Sequence, residues 1–174
     1  FAAAASFFAP VRIVAAVGDD FDREHLTTLA RFPNVCVEGL ETRAGSTTFA
    51  WGGKYHEDMN IRETLFTELG VLAEAPPATP KKYRDSRYVF LANNHPSVQL
   101  DLLAQFPTRA IAVADTMDLW ISDARPELTQ LLSQIDGVVL NDQEATQLTG
   151  VRNAITAGKR ILDMGPTFAV VKKG

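Results

Sequence analysis

Five short apolar runs, each followed at once by Asp, Asn or Lys, constrain this chain more than any other feature. VRIVAAVG (11–18) leads into Asp19 and Asp20, YVFLA (88–92) into Asn93, Asn94 and His95, and AIAVA (110–114) into Asp115 and Thr116. GVVL (137–140) leads into Asn141 and Asp142, and FAVV (168–171) into Lys172 and Lys173. Runs this short and this apolar are the pattern of buried strands. Helix-period segments lie between them, at 22–31, 98–106, 127–135, 143–148 (closed by Gly150) and 154–164 (closed by Gly165-Pro166). Such alternation predicts an α/β fold, a doubly wound and mostly parallel sheet with helices on both faces. In open sheets of this class ligands bind beyond the carboxyl ends of the strands. The polar groups after each strand are therefore the first candidates for a site. Singly, each is equally well explained as the cap of the next helix; their convergence on one edge is the stronger argument.

Two strand-like stretches, 35–41 and 47–55, depart from that scheme. With the turn Thr42-Arg43-Ala44-Gly45-Ser46 between them they read as an antiparallel hairpin at about 35–55, beside the main sheet. Along 47–55, Phe49, Trp51 and Tyr55 share one face, and Thr48, Ala50 and Lys54 the other. The segment that follows, Tyr55-His56-Glu57-Asp58-Met59-Asn60-Ile61-Arg62-Glu63, has two readings. It is a solvated connection, or it hydrogen-bonds a polyol through Tyr55, His56, Asp58, Asn60 or Arg62. Metal binding by His56, Glu57 and Asp58 is disfavoured, because adjacent residues do not easily face one ion and H-E-x-x-H is absent. The proline-rich stretch 76–86 is a loop.

Composition enters by exclusion. The formal charge of −4 over 174 residues argues against a nucleic-acid partner. No apolar run approaches the roughly 20 residues of a membrane span. The lone Cys36 rules out an intramolecular disulfide and a cysteine-built zinc site, so the expected compartment is the cytosol. The P-loop pattern fails at 153–160, where Asn153 and Arg160 replace the required Gly and Ser/Thr. The first strand lacks G-x-G-x-x-G, which disfavours a dinucleotide enzyme, and no G-x-S-x-G is present. The opening FAAAASFFAP reads as the end of an apolar helix stopped by Pro10, and TFAVVKKG halts directly after a strand. The expectation is a piece of a longer protein.

Asn141-Asp142-Gln143-Glu144 carries the most chemistry. Asn141 and Glu144, three apart at a helix start, form a capping box in one account. In the other, a carboxylate beside helix N–H groups holds Mg²⁺ and water near a phosphate. The spacing leaves both open.

VRIVAAVGDDF, the aromatic hairpin, VVLNDQEATQLTG and FAVVKKG together resemble the PfkB (ribokinase-like) carbohydrate kinase family. The resemblance implies an ATP-dependent kinase that phosphorylates a hydroxymethyl group of a sugar or nucleoside. It matches the family's N-x-x-E motif to Asn141 and Glu144, which would serve phosphates and Mg²⁺. It sets Lys172 and Gly174 beside ATP, Asn93 where substrate is contacted, and Asp115 near phosphates or substrate. It implies that the hairpin is a lid that closes over the sugar and can pair two copies. It also implies that the catalytic base and anion hole, in a G-x-G-D motif, lie outside this chain, so that the 174 residues alone are inactive. The alternative is a non-catalytic α/β binding or dimerisation module that uses the aromatic hairpin as its interface.

Overall fold

The computed structural model describes residues 1–57 and 62–173, with only the backbone of residue 62 described. The chain divides into two compact units, Phe1–Pro80 and Lys81–Gly174.

The first unit opens with a single helical turn, α1 (Ala2–Ala5), followed by β1 (Val11–Gly18). Helix α2 (Arg23–Leu29) is capped by Asp22, whose carboxylate accepts the Glu24 N–H at 2.8 Å. Strand β2 (Val35–Arg43) pairs with β1 in parallel. An antiparallel pair, β3 (Ala50–Tyr55) and β4 (Arg62–Glu68), stands apart from it.

This corrects the expected hairpin at about 35–55. The return strand of the antiparallel pair is 62–68, and 35–43 is a parallel strand. The physical reason lies in residues 45–48, whose polar groups are engaged by the end of β1. Asp19 N donates to Ser46 O at 3.0 Å, and the Asp19 carboxylate accepts the Gly45 N–H at 2.6 Å. The Asp20 carboxylate accepts both Thr48 N–H and Thr48 Oγ1–H at 2.7 Å, and those bonds hold it below the usual carboxylate range. The chain leaving β2 is thereby tied across β1 and cannot fold back along β2. In the antiparallel pair the register shifts between Gly52↔Phe66 and Gly53↔Thr64, leaving Leu65 as the extra residue of a bulge. Two glycines lie beside the bulge. A Cβ on Gly52 would meet the Phe66 ring, and one on Gly53 the Trp51 ring, so each glycine lies under an aromatic that would have to turn away to admit a side chain.

The second unit is a four-stranded sheet in the order β5-β6-β7-β8, every pair parallel. The elements run β5 (Tyr88–Leu91), α3 (Pro96–Ala104), β6 (Ile111–Asp115), α4 (Asp118–Asp123), α5 (Arg125–Leu132), β7 (Gly137–Asn141), α6 (Asp142–Thr149), α7 (Ala154–Leu162) and β8 (Phe168–Lys172). Spatial order equals chain order without a reversal, so right-handed crossovers deliver these helices to one face. Burial agrees. Val89, Leu91, Ala112, Ala114, Val138 and Leu140 share a face by register and are all buried. They form one core with Leu103, Ile121, Leu128, Leu131, Leu132, Ala145, Leu148, Ala157 and Ile161 from the helices. Ala112 and Ala114 of β6 belong to the same buried cluster as the leucines of α5. The opposite face carries Ile111, Phe168 and Val170, which are exposed, beside half-buried Val113 and Val139. The fold class is the expected one, a mostly parallel α/β architecture with a small separate antiparallel sheet, except that within Lys81–Gly174 the helices cover one face of the sheet and not both.

Candidate active site

Four parallel strands aligned in one sheet must end on the same edge. Asn93 lies two residues beyond β5, Asp115 ends β6, Asn141 ends β7 and Lys172 ends β8. The structure therefore brings these four expected residues together along one carboxyl rim. Asp115, Asn141 and Lys172 also share a face: Asp115 pairs with Val139 in register, and Asn141 with Lys172. Lys172 Nζ reaches across β7 to Asp115 Oδ1 at 3.7 Å, with the two side chains 53% and 29% exposed. A pair so open to water contributes little to stability. It sets an accessible cation beside a carboxylate whose facing oxygen is buried.

Asn141 and Glu144 form the capping box that their spacing allows. Asn141 Oδ1 accepts the Glu144 N–H at 2.8 Å, and Glu144 Oε2 accepts the Asn141 N–H at 2.7 Å. Gly150, in the left-handed conformation at φ 73°, closes α6 as its position requires. Glu144 is only 8% exposed. Burial pushes its carboxyl above the usual carboxylate range. The Asn141 N–H and Lys172 oppose that, and the charges of Asp115 and Asp118 add to it. Asp115, Asp118, Glu144 and Lys172 thus form one electrostatic cluster of three acids and one base.

Beneath the rim, Gln99 is 1% exposed and donates from Nε2 to three carbonyls, Leu91 O (3.2 Å), Ala92 O (2.9 Å) and Asp115 O (3.0 Å). One side chain thereby locks the end of β5 to the end of β6. Three buried atoms at this edge have no hydrogen-bond partner among the described residues: Gln99 Oε1, Thr116 Oγ1 and Asp115 Oδ1, whose nearest charge is Lys172.

No family model matches the chain. The cytidine kinase of Thermococcus kodakarensis is 26% identical over 171 residues, covering 95% of this chain and 59% of that protein. Arabidopsis thaliana ribokinase, solved with ribose and ATP, aligns at a TM-score of 0.73 and 18% identity, over 98% of this chain and 57% of that one. An Escherichia coli ribokinase-type protein, solved with ATP and Mg²⁺, aligns at a TM-score of 0.71 and 17% identity, over 96% of this chain and 57% of that one. The chain has the ribokinase-like fold. It spans less than two thirds of the length of these relatives.

Tyr55, at the end of β3, and His56 after it are exposed and belong to the other unit. Asp58, Asn60 and Gly174 lie outside the described residues, as does the side chain of Arg62. A shallow groove along α6, lined by Asp142, Gln143, Thr146, Gln147 and Arg152, contains none of the four rim residues. Sequence reading missed Gln99, Met117, Asp118 and Trp120. Gln99 left a signal, a glutamine on the same helical stripe as Pro96 and Leu103 where an apolar residue is expected. Trp120 left only its rarity, being one of 2 tryptophans.

Proposed function

We propose that the chain is the N-terminal portion of an ATP-dependent kinase of the PfkB type that phosphorylates a hydroxymethyl group of a sugar or nucleoside. One observation carries this reading: Asn93, Asp115, Asn141 and Lys172 end successive strands of a single parallel sheet, with one lysine among three carboxylates. That charge pattern repels a bare anion and fits a hard cation together with a polyphosphate. Among the described residues no three His, Cys, Asp or Glu side chains converge as a complete metal cage. Mg²⁺ needs none, since it binds through one or two carboxylates, water and substrate phosphates. Glu144, with Oε2 held by the helix cap, would hold Mg²⁺ from its other oxygen, assisted by Asp115. Lys172 would take the phosphates, and Asn141 would orient Glu144. Bound Mg²⁺ neutralises charge on the transferred phosphoryl group. Asn93 would contact the acceptor, with Tyr55, His56, Asp58, Asn60 and Arg62 contributing from the lid segment and Gly174 lying beside ATP. The names of the relatives, a cytidine kinase and a ribokinase holding ribose and ATP, support this acceptor class.

The catalytic base and anion hole are assigned to the portion that the relatives have beyond the matched length. The test is phosphate transfer from Mg-ATP to D-ribose, D-fructose and cytidine. The full-length protein is expected to turn over at least one of them, and the 174-residue chain none. Turnover by the short chain, or none by the full-length protein, refutes the assignment. The cytoplasm is the proposed compartment; no helix among the described residues is long and apolar enough to cross a membrane.

The β3–β4 pair supports a homodimer through the lid, because Leu65, Phe66 and Tyr55 are 61%, 49% and 49% exposed. Leu65→Lys changes the bulged, most exposed of these. It is expected to halve the sedimenting mass of the full-length protein; an unchanged mass rejects the lid as the interface.

A further inference from the structure

Asn93 is exposed beyond β5, and its carboxamide is gripped at both ends by the segment that follows β6. The Trp120 indole Nε1–H donates to Asn93 Oδ1 at 2.9 Å, and Asn93 Nδ2 donates to Met117 Sδ at 3.0 Å. An indole N–H has no acceptor capacity, so only the carbonyl oxygen can face it. That contact fixes which end of the amide is which. The indole is itself braced. The His95 ring meets it edge-on, with centroids 5.1 Å apart and planes at 70°. His95 in turn is held at the head of α3, where its Nδ1 accepts the Ser97 N–H at 3.2 Å.

The two grips are unequal. Indole to carbonyl is an ordinary N–H···O bond, whereas a thioether is a weak acceptor. An incoming oxygen can take the Asn93 N–H from Met117 at little loss. The carbonyl end has no comparable reason to leave Trp120. We infer that Trp120 is a positioning residue for the acceptor substrate: it turns Asn93 so that the amide donates, and the rim thereby reads an acceptor oxygen of the sugar or nucleoside. This rests on the kinase reading above and specifies its acceptor side. The oxygen is a sugar hydroxyl or a base carbonyl, which share the same acceptor chemistry.

The experiment is steady-state kinetics of the full-length protein with D-ribose and with cytidine. Trp120→Phe keeps a ring against His95 and removes the N–H that orients Asn93. It is expected to raise KM for the acceptor about tenfold, leaving kcat and KM for ATP within about twofold. Asn93→Asp keeps an oxygen for the indole but replaces the amide donor with a second acceptor. It is expected to raise acceptor KM on the order of a hundredfold. Met117→Leu, which removes only the weak competitor, should leave KM unchanged or lower it. A rise with both probes places the oxygen on the sugar, and a rise with cytidine alone places it on the base; both support the inference. Wild-type acceptor KM in an active Trp120→Phe or Asn93→Asp enzyme overturns it and leaves the kinase reading intact. Wild-type protein that transfers phosphate to neither probe nor to D-fructose overturns the kinase reading and this inference with it. Asn93 is exposed, so its variant remains informative even if Trp120→Phe fails to fold.

Discussion

Glu144→Gln in the full-length protein is expected to leave the melting temperature within about 3 °C of wild type while lowering phosphoryl transfer on the order of a hundredfold. The two effects separate because the cap and the charge are different properties of one side chain. A glutamine oxygen accepts the Asn141 N–H as Glu144 Oε2 does, so the capping box survives. What disappears is a carboxylate that burial already disfavours. The folded state holds the Glu144 proton more tightly than the unfolded chain does. Its contribution to stability is therefore full below the ordinary glutamate range and is withdrawn as pH rises through the raised folded value. A neutral amide does not carry the charge that burial disfavours. Glu144→Ala is the control, since it removes the cap as well and is expected to cost about 1 kcal/mol. Thermal melts and initial rates on the two variants decide the matter. Equal activity in Glu144→Gln and wild type would mean that Glu144 only caps α6.

Gln99→Met carries the largest expected change in stability, a loss of about 3 kcal/mol, seen as a fall in melting temperature of about 8 °C. Methionine conserves the volume, so the loss reports the hydrogen bonds and not a cavity. Three carbonyls that share the two amide N–H donors lose them at once, and they belong to the ends of two strands, at Leu91, Ala92 and Asp115. Gln99 Oε1 has no partner among the described residues, so replacing the amide also removes one buried orphan. That gain is smaller than the loss of the two N–H donors. The same variant is expected to raise KM for the acceptor, because Asn93 and Asp115 would no longer be held at a fixed separation. Urea denaturation showing a loss below about 1 kcal/mol would mean that the strand ends are held by the sheet alone.

The parallel half of the fold was legible because its signal is local. The apolar runs at 88–92, 110–114 and 137–140 are each followed by a turn and a helix, the run at 168–171 is preceded by one, and Asn141, Glu144 and Gly150 stand where a helix begins and ends. The first unit was harder to read. Residues 47–55 alternate as a strand, but the identity of the partner strand depends on hydrogen bonds from Asp19 and Asp20 to residues 45–48, about 28 positions away. No local pattern contains that tie. Strand 62–68 was hidden for a second reason, since a bulge at Leu65 breaks its alternation. The rim followed from topology once the strands were placed. Its second layer did not. Gln99 holds two strand ends, and Trp120 and Met117 orient Asn93, through contacts that span 7, 16, 24 and 27 residues.

Hydrogen exchange of the full-length protein, with and without Mg-ATP, measures the claim on which the rest depends. Added protection is expected at residues 115–118, 141–145 and 170–173 together, and it should vanish in Lys172→Ala. Protection confined to other segments, with these three strand ends exchanging as they do without nucleotide, would contradict a ligand-binding rim at this edge of the sheet.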